Sequence, residues 1–439
     1  MTEKIPVRIA SGLLNSLKGG VVPRVGLPYI SVGRKDEINS LLADIETIKA
    51  GGATCRFIVG RYGSGKSFLL QMMKSYALDS NFVVVDADLS PSRRFYGNHN
   101  QGLATYKELI KNMSTKTKPE GGALNLLLQK WLNNLQIQVM EEHNITSSDK
   151  DFKKYLEIKI YKVVDVLQEN VNGFDFAKIL LKYYNAYMSD DQDTMQKVLR
   201  FIRGEYRLKS EAKQDLGISN IINDSNWYDY LKLLAAFLVN AGYTGLLILI
   251  DELVNIYKIP HSVTRQQNYE MILMMYNDTL QGKAKHLGFI MGGTPECIED
   301  NRRGLFSYEA LKSRLKSSRF TSSEIRDILA PIIELKLLNY EEMLILLEKI
   351  SIIHAKLNNY SVKLKTEEIA EFIKIEYSRV GTSSYITPRE VIRDFIEILN
   401  ILYQYPTKTI KEIIQKDNFQ FASFEEEIED FAEFELWFQ

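Results

Sequence analysis

One run, Gly60-Arg61-Tyr62-Gly63-Ser64-Gly65-Lys66-Ser67, constrains this chain more than any other stretch, because it satisfies G-x-x-x-x-G-K-[ST] in full. The pattern has meaning only between a strand and a helix. Both are at hand: Arg56-Phe57-Ile58-Val59 reads as a short buried strand, and the residues from Lys66 through Phe68 to about Ala77 read as a helix. In that setting the glycines let backbone N–H groups turn inward on phosphates, and the helix presents its positive end to them. Lys66 then reaches the β- and γ-phosphates of ATP, and the Ser67 hydroxyl ligates Mg²⁺.

The rest of the chain supplies the sheet that such a loop needs. Phe82-Val83-Val84-Val85, closed by Asp86 and Asp88, reads as a second strand. Leu246–Ile250 ends at Asp251-Glu252, Leu287–Met291 ends at Gly292-Gly293-Thr294, and a fifth candidate lies around Pro331 to Leu335. Strands separated by helical segments predict an α/β fold on a parallel sheet. Upstream, a turn-rich stretch with Gly19-Gly20-Val21-Val22-Pro23 and Gly33-Arg34-Lys35-Asp36-Glu37 leads into a helix over Ile38 to Ile48. At 439 residues two to three domains are expected. The patterning divides them into an N-terminal segment with the first part of the core (1–114), a mostly helical insertion (115–240), the second part of the core (241–336), a helical lid (337–420) and an acidic, aromatic tail (421–439).

Six further side chains carry candidate chemistry. Asp251, at a strand's carboxyl end, suits the Mg²⁺ shell, and Glu252 beside it suits a general base that polarises the attacking water. Thr294 brings a small hydroxyl to the same edge, where it can orient water or sense the γ-phosphate. Between 302 and 319 the chain is strongly basic, and an arginine there can stabilise phosphoryl charge at a neighbouring subunit's site; Arg314 is preferred and Arg319 is next. Arg389 falls in the first turn of a helix opened by Pro388 and can fold over the γ-phosphate from the lid. Each has a plainer reading: a buried strand that happens to end in two acids and caps a helix for Asp251 and Glu252, a Thr-Pro turn for Thr294, a solvated basic face for the arginines between 302 and 319, and a surface ion pair for Arg389.

Other classes are excluded more cheaply. No apolar run approaches the roughly 20 residues of a membrane span, and the N-terminus lacks a signal-peptide pattern, so a cytoplasmic protein is expected. Cys55 and Cys297 stand alone and far apart, and the histidines show no ligand spacing, against a disulfide or structural zinc. The net charge of −1 excludes only a uniformly basic protein, because a basic first quarter cancels against the tail. In that tail Phe424, Ile428, Phe431 and Phe438 recur at helical spacing among acids, which suggests an amphipathic helix on the lid, or alternatively a docking peptide for a basic partner.

Taken in order, the Gly-Arg-Lys-Asp-Glu run, the Gly-rich loop, the Asp-Glu strand end, Thr294, the distal arginines and Arg389 resemble an AAA+ P-loop ATPase of the initiator and loader type. That resemblance implies an extra strand between those bearing the loop and the Asp-Glu pair, and it puts Thr294 at the sensor 1 position and Arg389 at sensor 2. More narrowly, Gly20-Val21-Val22-Pro23, Arg56 to Leu70, Asp88-Leu89-Ser90-Pro91-Ser92-Arg93-Arg94, Gly242-Tyr243-Thr244-Gly245 and Thr387-Pro388-Arg389 resemble the ATP-binding proteins of BREX phage-defence systems, a BrxC/BrxD-like group, closest to its small BrxD-like members. The family implies an oligomeric ATPase that works beside a helicase or DNA-modifying methyltransferase, with DNA as a further partner. The alternative is a nucleotide-gated scaffold that binds ATP and recruits such a partner with little turnover. Only about 100 residues follow the fifth strand, and the lid nearly exhausts them, so a C-terminal winged-helix DNA-binding domain is not expected.

Overall fold

The computed structural model describes residues 5–168, 172–316, 327–361, 364–379 and 387–414. These fall into two compact units. The smaller takes the residues up to Arg34, Tyr62–Ser64 and those from Lys336 onward; the larger takes Lys35–Arg61 and Gly65–Leu335. Arg319 and the acidic tail lie outside the described residues.

The larger unit is built on five strands: β1 (Ala53–Val59), β2 (Val83–Asp88), β3 (Leu246–Asp251), β4 (Leu287–Gly293) and β5 (Ile332–Glu334). Their order is β2-β3-β4-β1-β5, and every pairing is parallel. β3 and β4 are buried at every position. A strand covered on both faces reads as a continuous apolar run without alternation, which is why these segments stand out in the sequence. β4 lies between β1 and β3, as the resemblance implies. Because all strands run the same way, their carboxyl ends share one edge of the sheet. The register pairs Asp88 with Asp251 and Val59 with Gly293 there.

Two stretches between strands position that edge. The helix Lys66–Asp79 starts directly from the Gly-rich loop after β1. Between β2 and β3 the chain is helical, with Leu124–His143, Phe152–Gln168, Gly173–Met188, Gln192–Ile202, Lys209–Leu216 and Trp227–Asn240. These helices bury aromatic side chains against one another: Trp131 meets Phe237 edge-on at 5.2 Å, and Phe176 meets Phe237 and Tyr230 at 6.2 and 6.4 Å. Such edge-to-face pairs add about 0.5–1.5 kcal/mol each beyond their burial.

The smaller unit is helical. Val7–Lys18 buries Ala10, Leu13 and Leu14 and packs on Tyr340–Leu357 and Pro388–Gln404. Reciprocal capping boxes start the last two: Asn339 with Glu342, and Thr387 with Glu390. His354 joins them, its Nε2 within 3.1 Å of Asn400 Oδ1 and its Nδ1 within 2.7 Å of the Tyr360 hydroxyl. Among the described residues no helix is long and apolar enough to cross a membrane.

Candidate functional site

The loop leaving β1 is tied to the sheet at its base, where the Gly60 N–H donates to Gly293 O at 3.1 Å. Gly63 and Gly65 then take positive φ of 75° and 91°, the left-handed region that glycine adopts without penalty. Within the described chain the N–H groups of Gly63, Ser64 and Gly65 donate to no acceptor, and the buried Ser64 hydroxyl has no partner. Consecutive free N–H groups in such a turn, followed by a helix N-terminus, form an anion-binding concavity. Arg61 and Tyr62 project outward and Phe68 is half-buried in the first helical turn. Lys66 is buried, with its ammonium held on Gly60 O at 2.8 Å and Arg61 O at 3.1 Å. Burial pulls its pKa down, and the nearby Asp251 and Glu252 oppose that pull.

The acidic side of the site forms at the ends of β2 and β3. The Ser67 hydroxyl donates to Asp251 Oδ2 at 2.5 Å, and the Glu252 N–H donates to Asp251 Oδ1 at 2.9 Å. A hydroxyl and a carboxylate oxygen meeting in this way are the hard oxygen donors that Mg²⁺ takes, so the residues present fit that ion. Asp251 comes this close to the neighbouring strand because Gly292 has no side chain: a Cβ there would lie 2.5 Å from Asp251 Oδ1. Glu252 sits at φ 63°, an uncommon conformation for a residue with a side chain, which turns the chain out of the strand at this point. Burial and the Asp251 charge raise the Glu252 pKa. Asp88 is raised likewise, by burial first and then by Asp251 and Asp86. Thr294 is buried directly after β4 and opens the short helix Pro295–Glu299, which brings Glu296 and Cys297 within electrostatic reach of Lys66.

The arginines divide. Arg303 is absorbed structurally, over the Tyr257 ring and donating to the Tyr257 and Ile259 carbonyls. Arg314 is exposed on the helix Glu309–Leu315, braced by Nε on Asn277 Oδ1 at 2.9 Å and by a terminal nitrogen on Ala310 O at 2.7 Å. Arg389 lies in the smaller unit, exposed in the first turn of Pro388–Gln404, with its guanidinium against the backbone of Gly20.

Three further residues shape this arrangement and were not singled out in the sequence as site residues. Arg34 reads in the sequence as part of a helix start and of the Gly-Arg-Lys-Asp-Glu run, with no role of its own, yet it is buried and one of its terminal nitrogens donates to Ser64 O at 2.9 Å and Lys336 O at 2.5 Å. Asp88 reads as a strand terminator; only the strand order sets it beside Asp251. Gly292 did carry a signal, since a glycine inside a buried strand marks a close approach. With the geometry in place, the family described as BREX system ATP-binding protein BrxC/D matches the chain over residues 5–418. No curated protein gives a significant match.

Proposed function

The chain belongs to the BREX system ATP-binding protein BrxC/D family, and from that membership we propose that it hydrolyses ATP as an AAA+ ATPase. The observation that carries the reading is the Ser67 hydroxyl on Asp251 with Glu252 at the next position. A protein that only binds nucleotide needs the first pair but has no use for an adjacent carboxylate of raised pKa.

In this reading the free N–H groups of Gly63, Ser64 and Gly65 receive the phosphates, and Lys66 leaves the Gly60 and Arg61 carbonyls for the β- and γ-phosphates. Mg²⁺, held by Ser67 and Asp251, would supply neutralisation of phosphate charge. Glu252 takes the proton of the attacking water, for which burial and Asp251 have already made it a stronger base. Thr294 orients that water, and Arg389 senses the γ-phosphate from the lid. The chain works as a homo-oligomer in which Arg314, braced on Asn277, completes a neighbouring subunit's site. Turnover is coupled to DNA-associated work with a helicase or methyltransferase of the same defence system.

The test is steady-state ATP turnover, with and without single- and double-stranded DNA, on wild type, Lys66→Ala and Glu252→Gln. Glu252→Gln is expected to bind ATP with undiminished affinity and to lose turnover by at least about a hundredfold. A variant that turns over at the wild-type rate refutes the assignment.

A further inference from the structure

A peptide unit is planar and trans, so its C=O and N–H point in opposite directions. The carbonyl of Ser64 and the N–H of Gly65 belong to one such unit. Gly65, at φ 91° and with nothing within 4 Å of where its Cβ would be, has no side chain to hinder rotation of that unit. An outside restraint is therefore needed to keep the N–H aimed into the loop. Arg34 supplies one: it is buried, its guanidinium donates to Ser64 O at 2.9 Å, and the same nitrogen is anchored on Lys336 O at 2.5 Å.

We propose that Arg34 is a positioning residue for phosphate binding, which holds the Ser64 carbonyl outward and so points the Gly65 N–H at the ligand. This rests on the reading that the Gly60–Ser67 loop binds phosphates, but not on hydrolysis. The Ser64 carbonyl that Arg34 holds belongs to the Gly-rich loop, so the effect is expected to follow the phosphates and to be indifferent to the base. A planar guanidinium is pre-organised for two acceptors in fixed directions, which a lysine ammonium on a flexible stem is not.

Calorimetric titration of the full chain with ATP, tripolyphosphate and adenosine tests this. Arg34→Gln is expected to raise the dissociation constants for ATP and tripolyphosphate by about ten- to a hundredfold, the loss of one charge-assisted hydrogen bond, and to leave adenosine unchanged. Arg34→Lys is expected to fall between, and decides the matter if Arg34→Gln does not fold. Wild-type affinity for tripolyphosphate in either variant overturns the proposal, as does a loss confined to adenosine. Lys66→Ala run in parallel separates the two levels of argument. If it binds tripolyphosphate as wild type does, the phosphate-loop reading itself is wrong; if it loses binding while Arg34→Gln does not, only the role of Arg34 is wrong.

Discussion

Gly292→Ala is a one-carbon test of how the Asp251 carboxylate is held. The added Cβ would lie 2.5 Å from Asp251 Oδ1 and 3.3 Å from its Cγ and from Leu70 Cδ1. Real Cβ atoms essentially never approach within 3.0 Å, so the oxygen must retreat by at least about 0.5 Å, in line with the strain of overpacking a dense interior. It cannot retreat freely, because Oδ1 accepts from the Glu252 N–H at 2.9 Å and Oδ2 from Ser67 at 2.5 Å. Overpacking costs about 1–3 kcal/mol and a lost hydrogen bond to a charged group about 1.5–3. Partial relaxation brings the expected loss of unfolding free energy to about 2–4 kcal/mol. Turnover is expected to fall further than stability implies, since a misplacement of about 1 Å costs on the order of a hundredfold. Gly288→Ala, on the same face of β4, is the matched control: its Cβ would meet the terminal methyl of Ile48, which can swing aside, so turnover is retained. Urea unfolding and ATP turnover of both variants decide the matter. A Gly292→Ala protein with wild-type stability and rate refutes the claim that the missing side chain sets Asp251.

Two more expectations concern the smaller unit. A Cβ on Gly63 would come within 2.6 Å of Thr387 Cβ and 2.7 Å of its Cγ2, so Gly63→Ala is expected to weaken ATP binding by at least about tenfold through clash and the left-handed φ; the double variant with Thr387→Gly recovers part of that loss, and an unchanged affinity in Gly63→Ala contradicts the contact. His354 is held neutral by burial, which lowers its pKa from 6.5: Nε2–H donates to Asn400, so Nδ1 accepts from the Tyr360 hydroxyl. The unfolded chain therefore takes up a proton first as pH falls, and stability that is whole above about pH 6.5 declines below it. Thermal unfolding from pH 7 to 5 should show a steeper decline in wild type than in His354→Gln, and parallel curves count against this assignment.

What could be read from the sequence was what lies contiguous in it. A buried parallel strand is an apolar run, and its carboxyl end is marked by the first polar residue, so β1, β3 and β4 and the places of Asp251, Glu252 and Thr294 at strand ends follow directly, while the G-x-x-x-x-G-K-[ST] spacing puts Lys66 at the start of the helix after β1. The helix predicted over Ile38 to Ile48 spans Lys35–Lys49, and the strand expected around Pro331 to Leu335 is Ile332–Glu334, differences of the size that capping and fraying produce. The tie from Arg34 to the Gly-rich loop was hidden because it runs through the backbone carbonyls of Ser64 and Lys336, the second 302 positions away, and a carbonyl has no residue identity to recognise. Asp88 was hidden because strand order, not strand content, makes it a neighbour of Asp251. The brace of Arg314 on Asn277 likewise joins helices that no periodicity relates.

The helices between β2 and β3 also set an order of events in making the protein. Ser67 and Asp251 are 184 positions apart, so the loop leaves the ribosome long before its carboxylate partners, with the aromatic helical stretch emerging between them. The β2–β3 pair cannot form until that stretch has been synthesised and its ends brought together, a closure that a compact helical core makes far less costly than a free chain would. Nucleotide is then expected to act late, stabilising the finished sheet by an amount set by its concentration over its dissociation constant.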